Sequence, residues 1–142
     1  MLWLTKGRSA MNGMTKNRFV LDTNAVIFLA VGDNASTSAL KNELNEADLF
    51  ISGISEMELF SKPTLPADEE ENLRAFLSER MIIIDLTNDV KKETIALRRN
   101  TRLKLPDCIV AATSIVLKSV LITADRHLLN LSWPGLRTRR IS

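Results

Sequence analysis

The chain has 142 residues, of which 45% are hydrophobic, and it carries 19 Lys and Arg residues against 17 Asp and Glu residues. This is the size of one ordinary domain with a substantial core, and a net charge of +2 is too small by itself to indicate a nucleic-acid partner. The single cysteine, Cys108, excludes an intramolecular disulfide framework and a cysteine-built zinc site, and no apolar run approaches the about 20 residues of a membrane span.

The start of the chain lacks a clear structural signal. Its apolar run ahead of the first lysine is too short for a signal peptide, so we expect residues 1–16 to form a flexible N-terminal tail. Residues 17–142 are then expected to form a single domain. The lone cysteine fits a reducing compartment, which predicts a cytoplasmic protein with no membrane association.

Strand and helix signals alternate through the first half of the chain. Thr23 or Asn24 is expected to start the first helix, and Ser36 or Ser38 to cap the second. The predicted elements are, in order, strand 18–21, helix 25–31, helix 39–47, strand 49–52, helix 55–61 and a helix that follows a proline-marked loop within residues 62–80.

The second half continues the alternation. Thr87 and Asn88 can cap one helix, and Pro106 opens the next. The predicted elements are strand 81–85, helix 89–102, helix 107–119, strand 120–125, a helical turn at 126–131 and a final edge strand within 136–142. Strands separated by helices imply parallel pairing, so the sequence predicts a three-layer α/β/α sandwich with a central, mainly parallel sheet.

Acidic residues recur where predicted strands end. Asp22 follows the first strand, Asp125 lies at the end of the fourth, and Asp107 lies in the first turn of the helix before the fourth strand. Parallel sheets bind ligands beyond the carboxyl ends of their strands, where Asp22 and Asp125 would emerge. Glu58 is less fixed, because it lies inside a short helix six residues past the second strand.

Four carboxylates that meet would repel one another. Two unit charges about 4 Å apart repel by roughly 4 kcal/mol at an effective dielectric near 20, unless a cation or a proton neutralises them. Oxygen ligands favour Mg²⁺ or Mn²⁺, and such ions can activate water for phosphodiester displacement. One His in the whole chain also excludes a two-histidine nuclease mechanism.

Structural interpretations of the same residues remain open. Asp22, Asp107 and Asp125 could each serve as helix-capping or first-turn acids, and Glu58 could be a solvated helix charge. His127 is interpreted as a surface or half-buried structural residue, and Cys108 as a small core residue. The functional hypothesis depends on the acids as a set.

Taken in order, four segments resemble the motifs of PIN-domain ribonucleases. They are "FVLDTNAVIFL", "ISGISEMELFS", "LPDCIVAATSI" and "VLITADRHLLNL", and the resemblance covers roughly residues 17–131. The compact length and the third segment are most similar to VapC-type toxins of toxin–antitoxin pairs. The resemblance implies a PIN-like fold and a Mg²⁺- or Mn²⁺-dependent endoribonuclease with an RNA substrate, a cognate antitoxin and a homodimeric state.

The resemblance also assigns roles to individual residues. It implies that the principal metal ligands are Asp22 and Asp107, and that Glu58, rather than Glu56, is the second-motif acid. It makes Asp125 the fourth-motif acid. The supporting polar residues that it implies are Thr123 beside Asp125, and Thr23 or Asn24 to orient Asp22.

Basic residues cluster just before Asp107 in the sequence. On a continuous helix Lys91, Arg98 and Arg102 would align on one face, leading toward Asp107. Such a stripe is either an ordinary solvated face or a contact for RNA phosphates. The candidate RNA-binding residues are Lys91, Lys92, Arg98, Arg99, Arg102, Lys104 and Arg126.

Two other functions compete with an endoribonuclease. One is a non-catalytic PIN-like interaction module that retains the acids but binds no metal. The other is an aspartate-based phosphotransfer domain, in which Asp22 would be phosphorylated. The haloacid-phosphatase version of that reaction needs a second aspartate two residues later, where this chain has Asn24.

Overall fold

The computed structural model describes residues 17–141, so the predicted tail at 1–16 lies outside the described residues. The described residues form β1 (Arg18–Leu21), α1 (Thr23–Val31), α2 (Ala35–Glu43), β2 (Asp48–Ser52), α3 (Gly53–Phe60), α4 (Ala67–Arg80), β3 (Met81–Ile84), α5 (Asn88–Asn100), α6 (Leu105–Val116), β4 (Val120–Thr123), α7 (Arg126–Leu129) and β5 (Arg137–Arg140).

The five strands form one sheet in the order β3-β2-β1-β4-β5. Every pairing is parallel, and at its centre Phe19 of β1 aligns with Leu49 of β2 and Val120 of β4. The predicted α/β architecture is confirmed, with a sheet that is wholly rather than mainly parallel. Within residues 17–141, no helix is both long and apolar enough to span a membrane.

Alternate residues of the central strands enter two separate cores. Phe19 and Leu21 pack on one side of the sheet, against α1, α2 and α4, whereas Val20 packs on the other side, against α5 and α6. Both faces of a parallel sheet are covered by crossover helices, so its strands read as nearly continuous apolar runs. This explains why the strand over residues 18–21 is apolar at consecutive positions and ends abruptly at Asp22.

The second helix begins earlier than the sequence predicted. Asn34 caps it, since its side-chain oxygen accepts hydrogen bonds from the backbone N–H of Thr37 at 2.9 Å and from the Thr37 hydroxyl at 3.1 Å. The prediction that Ser36 or Ser38 caps a helix over 39–47 is therefore wrong. Both serines instead lie within the first turns of the helix, which ends at Glu43.

The helix that carries the basic stripe ends at Asn100, two residues before the predicted end. The Thr101 hydroxyl donates to the carbonyl of Leu97 at 2.7 Å and accepts from the backbone N–H of Leu103 at 3.2 Å, which turns the chain away from the helix. The alignment of Lys91, Arg98 and Arg102 on one helical face is therefore wrong for Arg102, which lies beyond the helix.

Arg80 anchors the turn that leads into β2. Its side chain is 4% exposed, and its guanidinium donates hydrogen bonds to the carbonyls of Leu44, at 2.5 Å, and Ala47, at 3.0 Å. Buried carbonyl groups need such partners, because unpaired polar groups in a core are costly. Arg80, the last residue of α4, thus fixes the turn through which the chain enters β2.

Candidate functional site

The site lies where β1 and β4 end, at the carboxyl edge of the sheet. The backbone N–H of Asp22 donates to the carbonyl of Ile122 at 3.1 Å, so the strand pairing continues one residue past β1. Asp22 is also the N-cap of α1, with Thr23 and Asn24 as the first helical residues. The acid is therefore held between a buried strand and a helix, and the prediction that Thr23 or Asn24 starts the helix is confirmed for Thr23.

The carboxylate of Asp22 has a donor on each oxygen. Its Oδ1 accepts from the backbone N–H of Thr23 at 2.8 Å, and its Oδ2 accepts from the hydroxyl of Thr123 at 2.8 Å. Thr123 is fully buried and also accepts a hydrogen bond from the backbone N–H of Asp125 at 3.0 Å. One hydroxyl thus connects the acid after β1 with the acid after β4.

Asp125 caps α7, as the structural interpretation anticipated. Its Oδ1 accepts from the backbone N–H of His127 at 2.8 Å. Capping does not remove the acid from the site, because a carboxylate has about four acceptor positions on its two oxygens. Strand β4 ends at Thr123, so Asp125 lies just beyond it rather than within it.

Glu58 reaches the same edge from α3. Although the residue is exposed, its Oε1 accepts from the hydroxyl of Thr23 at 3.2 Å, across 35 positions of sequence. Glu56 lines a different depression, together with Ser52 and Met57. The structure therefore brings the predicted second-motif acid, and not its neighbour, to the first residue of α1.

Asp107 completes the acidic group from the first turn of α6, directly after Pro106. Partial burial raises the pKa of this carboxyl, and the negative charges of Asp125, Asp22 and Glu58 raise it further, in that order of causes. Lys104 acts in the opposite direction and lowers this pKa. The four predicted acids thus form one electrostatic group.

The chemistry of this group suits a divalent cation of the Mg²⁺ type. Its donors are all carboxylate oxygens, and a cation would relieve the repulsion that raises the pKa of Asp107. Among residues 17–141, no three Asp, Glu, His or Cys side chains are already gathered as a metal-ligand cluster. Mg²⁺ keeps several waters and often uses only one or two protein carboxylates, so the donor set still fits this ion.

A cleft of about 580 Å³ opens beside these acids. Two acids, Asp107 and Asp125, and two bases, Arg102 and Lys104, line the same space. The full lining is Thr101, Arg102, Leu103, Lys104, Asp107, Asp125, His127 and Leu131. Because α5 ends before Arg102, this residue lies on the segment that forms the wall of the cleft.

The other predicted RNA-binding residues occupy two different places. Lys91, Lys92, Arg98 and Arg99 are exposed on α5 and do not line the cleft. Arg126 lines a neighbouring depression of about 360 Å³ with His127, Asn130 and Leu131.

The sequence predicted a surface or half-buried position for His127, but not that His127 lines the cleft or that Asn130 lines the depression beside it. His127 is exposed and lines both the cleft and the neighbouring depression. Its position two residues after Asp125 was the available signal. Cys108, in contrast, is fully buried and free, as expected of a core residue.

The family model of the PIN domain matches residues 19–134, which is most of the chain. The protein therefore belongs to the PIN-domain family. No curated protein sequence matches the chain.

Solved structures with this fold include chains of toxin–antitoxin complexes. A chain of VapBC2 from Rickettsia felis, bound to a DNA fragment from its promoter, is 22% identical with a TM-score of 0.72, covering 87% of this chain and 98% of that one. A chain of DNA-bound VapBC from Salmonella typhimurium is 23% identical with a TM-score of 0.69, covering 89% and 99%. A chain of a Klebsiella pneumoniae toxin–antitoxin complex is 27% identical with a TM-score of 0.65, covering 82% and 93%.

Proposed function

We propose that the protein is a Mg²⁺- or Mn²⁺-dependent endoribonuclease and the toxin of a toxin–antitoxin pair. The observation that carries the proposal is the cleft in which Asp107 and Asp125 share one space with Arg102 and Lys104. Carboxylates that repel one another favour a bound cation, and the adjacent basic side chains can hold phosphates that the acids alone would repel.

The four acids of the site have one proposed role, which is to bind the cation. Asp22, Asp107, Asp125 and Glu58 would hold the divalent cation. When bound, this cation supplies the positive charge that lowers the pKa of an attacking water and stabilises a leaving oxygen.

Positioning of these acids depends on two threonines. Thr123 fixes the Asp22 carboxylate, and Thr23 fixes that of Glu58. Hydrogen-bond partners of this kind orient metal-binding carboxylates. Arg102 and Lys104 would hold the RNA backbone along the cleft, and the RNA proposed as substrate is single-stranded or looped.

Cleavage of end-labelled single-stranded RNA by the purified protein tests the proposal. Cutting should require Mn²⁺ or Mg²⁺ and stop on chelation. Asp22→Asn and Asp107→Asn should each reduce the rate by more than the about 10–100-fold typical of outer-shell substitutions at metal sites. Asp68→Asn, at an exposed acid in the first turn of α4, is the matched control and should cut normally.

Undiminished metal-dependent cleavage by both site variants would exclude this site as the catalytic centre. Circular dichroism of each variant shows whether a loss of activity reflects unfolding. In cells, the same two variants should relieve the growth inhibition expected from expression of an active ribonuclease.

A non-catalytic PIN-like module is the second candidate, favoured by the lack of a pre-gathered ligand cluster within residues 17–141. Thermal melting with Mn²⁺ separates the two. If Mn²⁺ binds, its presence at a concentration 100 times its dissociation constant stabilises the native state by about 2.7 kcal/mol and raises the melting temperature. An unchanged melting temperature supports the non-catalytic module. The PIN-domain assignment argues against the third candidate, a phosphotransfer domain. Incorporation of a phosphoryl group at Asp22 would instead support that candidate.

A cognate antitoxin is the proposed protein partner. The resembling structures from Klebsiella, Rickettsia and Salmonella are all toxin–antitoxin complexes, which supports this part of the proposal. A small neighbouring gene for a DNA-binding protein, whose product copurifies with this chain and suppresses its toxicity, is the expected finding. A homodimer is also proposed, and sedimentation of the purified protein should give the mass of two chains rather than one.

A further inference from the structure

A second depression adjoins the acidic cleft, and none of the four acids lines it. Arg126, His127, Asn130 and Leu131 line it. His127 and Leu131 also line the acidic cleft, so the two spaces share a wall. A strand that occupies the cleft would therefore have its next nucleotide beside this depression.

The backbone beneath the depression is firmly held. Leu128 of α7 is fully buried in the core, and the backbone N–H of Asn130 donates to the carbonyl of Arg126 at 3.0 Å. The backbone N–H of His127 is held by Asp125. A rigid support of this kind positions side chains for binding at low entropic cost.

The polar side chains above that backbone are available to a ligand. Arg126, His127 and Asn130 are all exposed. Within residues 17–141, none of the three side chains has a hydrogen bond or an ion pair. They contrast with Thr123 and Asp22, whose polar atoms are already paired at the neighbouring site.

The lining has the chemistry of a nucleobase site. An arginine guanidinium can stack on the face of a base, and an asparagine amide offers one donor side and one acceptor side to a base edge. Leu131 adds an apolar surface. Two of the lining side chains, Arg126 and His127, carry planar groups, and the stacking role is assigned to the guanidinium because its charge can also attract the neighbouring phosphate.

We propose that this depression is a base-selective subsite for the RNA nucleotide next to the scissile phosphate. Arg126 stacks on the base, Asn130 hydrogen-bonds its edge, and His127 forms the wall between base and phosphate by its shape and position. The proposal rests on the proposed ribonuclease function and adds to it a source of sequence preference.

Binding of RNA to the Asp22→Asn protein tests the subsite without cleavage of the probe. Fluorescence anisotropy with labelled oligo(A), oligo(C) and oligo(U) of equal length should show at least about fivefold discrimination between the best and the worst, the lower range of one base contact. Asn130→Ala in this background should bring the three affinities within about twofold of one another.

Two further variants sharpen the result. Arg126→Lys keeps the charge but loses the planar group, so it should weaken the favoured oligonucleotide most. Asn100→Ala is the matched control, because Asn100 is also exposed but lies on α5 outside both depressions, with its amide donating to the carbonyl of Ala96 at 2.8 Å. This control should leave all three affinities unchanged.

The proposal is overturned if Asn130→Ala leaves the discrimination intact, if it weakens all three oligonucleotides equally, or if the Asp22→Asn protein does not discriminate at all. These outcomes are independent of catalysis. If wild-type protein fails to cut RNA while the Asn130-dependent preference persists, the ribonuclease function fails and the base subsite stands.

Discussion

The hydroxyl of Thr123 joins two acids from distant parts of the chain, Asp22 and Asp125. It donates to Asp22 Oδ2 at 2.8 Å and accepts from the backbone N–H of Asp125 at 3.0 Å. Because Thr123 is fully buried at the end of β4, this geometry is fixed by the sheet rather than by solvent-exposed side chains. The residue is therefore the first place to test how the site is positioned.

Thr123→Val should lower both the stability of the fold and the affinity for Mn²⁺, with little change in side-chain shape. The substitution leaves the Asp125 N–H and the Oδ2 atom of Asp22 each without this partner, while Oδ1 keeps the Thr23 N–H, and it should cost about 1–3 kcal/mol of unfolding free energy. Mn²⁺ should also raise the melting temperature less than in wild type, and Thr123→Ser should restore most of both effects. Thr113→Val is the matched control, since that buried hydroxyl donates only within α6, to Ile109 at 2.7 Å.

Asp107→Asn should raise the melting temperature of the metal-free protein at neutral pH and lower that of the protein with Mn²⁺, relative to wild type. The folded-state pKa of Asp107 is raised by burial and by the charges of Asp125, Asp22 and Glu58, so its ionised form destabilises the fold. In metal-free protein, this loss of stability is absent when the pH is below the ordinary pKa of an aspartate. It is complete when the pH is above the raised pKa of Asp107 in the folded state. The free energy of unfolding therefore falls as the pH rises from the ordinary pKa to the raised one.

Melting curves at acid and neutral pH measure this effect. Metal-free Asp107→Asn protein should melt above wild type at neutral pH, and the difference should vanish in acid. Mn²⁺ should reverse the order at neutral pH. A metal-free wild type that melts at or above the variant would contradict the repulsion inferred for this site. Asp89→Asn, on the exposed first turn of α5, should not raise the metal-free melting temperature at neutral pH, because an acid at this end of a helix is stabilising.

Arg102→Ala and Lys104→Ala should each make RNA binding less sensitive to salt. For single-stranded nucleic acid, each lost phosphate contact lowers the slope of log affinity against log salt concentration by about 0.7. Lys91→Ala and Lys92→Ala should leave the slope unchanged, because these lysines do not line the cleft. Equal losses in all four variants would restore α5 as part of the RNA surface.

Arg80→Met should destabilise the whole fold while leaving the chemistry of the site intact. The variant removes the donor from the buried carbonyls of Leu44 and Ala47, and hydrogen bonds to charged groups contribute about 1.5–3 kcal/mol each. Urea unfolding should show a loss of at least about 2 kcal/mol. Arg74→Met is the control, since Arg74 makes an exposed ion pair with Glu70 at 2.8 Å, and such pairs contribute little.

The strands were predictable because burial on both faces produces continuous apolar runs. β1 and β4 follow this rule, and the acids after them interrupt the runs where the chain leaves the core. The positions of Asp22 and Asp125 at one edge then follow from parallel pairing. That much of the site needs only local sequence and the general geometry of parallel sheets.

Contacts between distant side chains were not predictable in the same way. Glu93, the single acid within the basic stripe, accepts a hydrogen bond from the indole of Trp133 at 2.8 Å, across 40 positions. The end of α5 likewise depends on how the Thr101 hydroxyl bonds its own backbone. Such pairings depend on where whole elements pack, which neither hydrophobic period nor spacing determines.

The order of the strands also sets when the site can exist during synthesis. β1 is made early, yet its neighbour β4 is the last strand but one to leave the ribosome. At about 5–20 residues per second, the growing chain spends about one to three seconds with Asp22 and Asp107 present but without the complete β4 that positions Asp22. A message that is cut or mutated to stop before residue 120 therefore encodes at most three of the four acids and lacks Thr123, whose hydroxyl donates to Asp22.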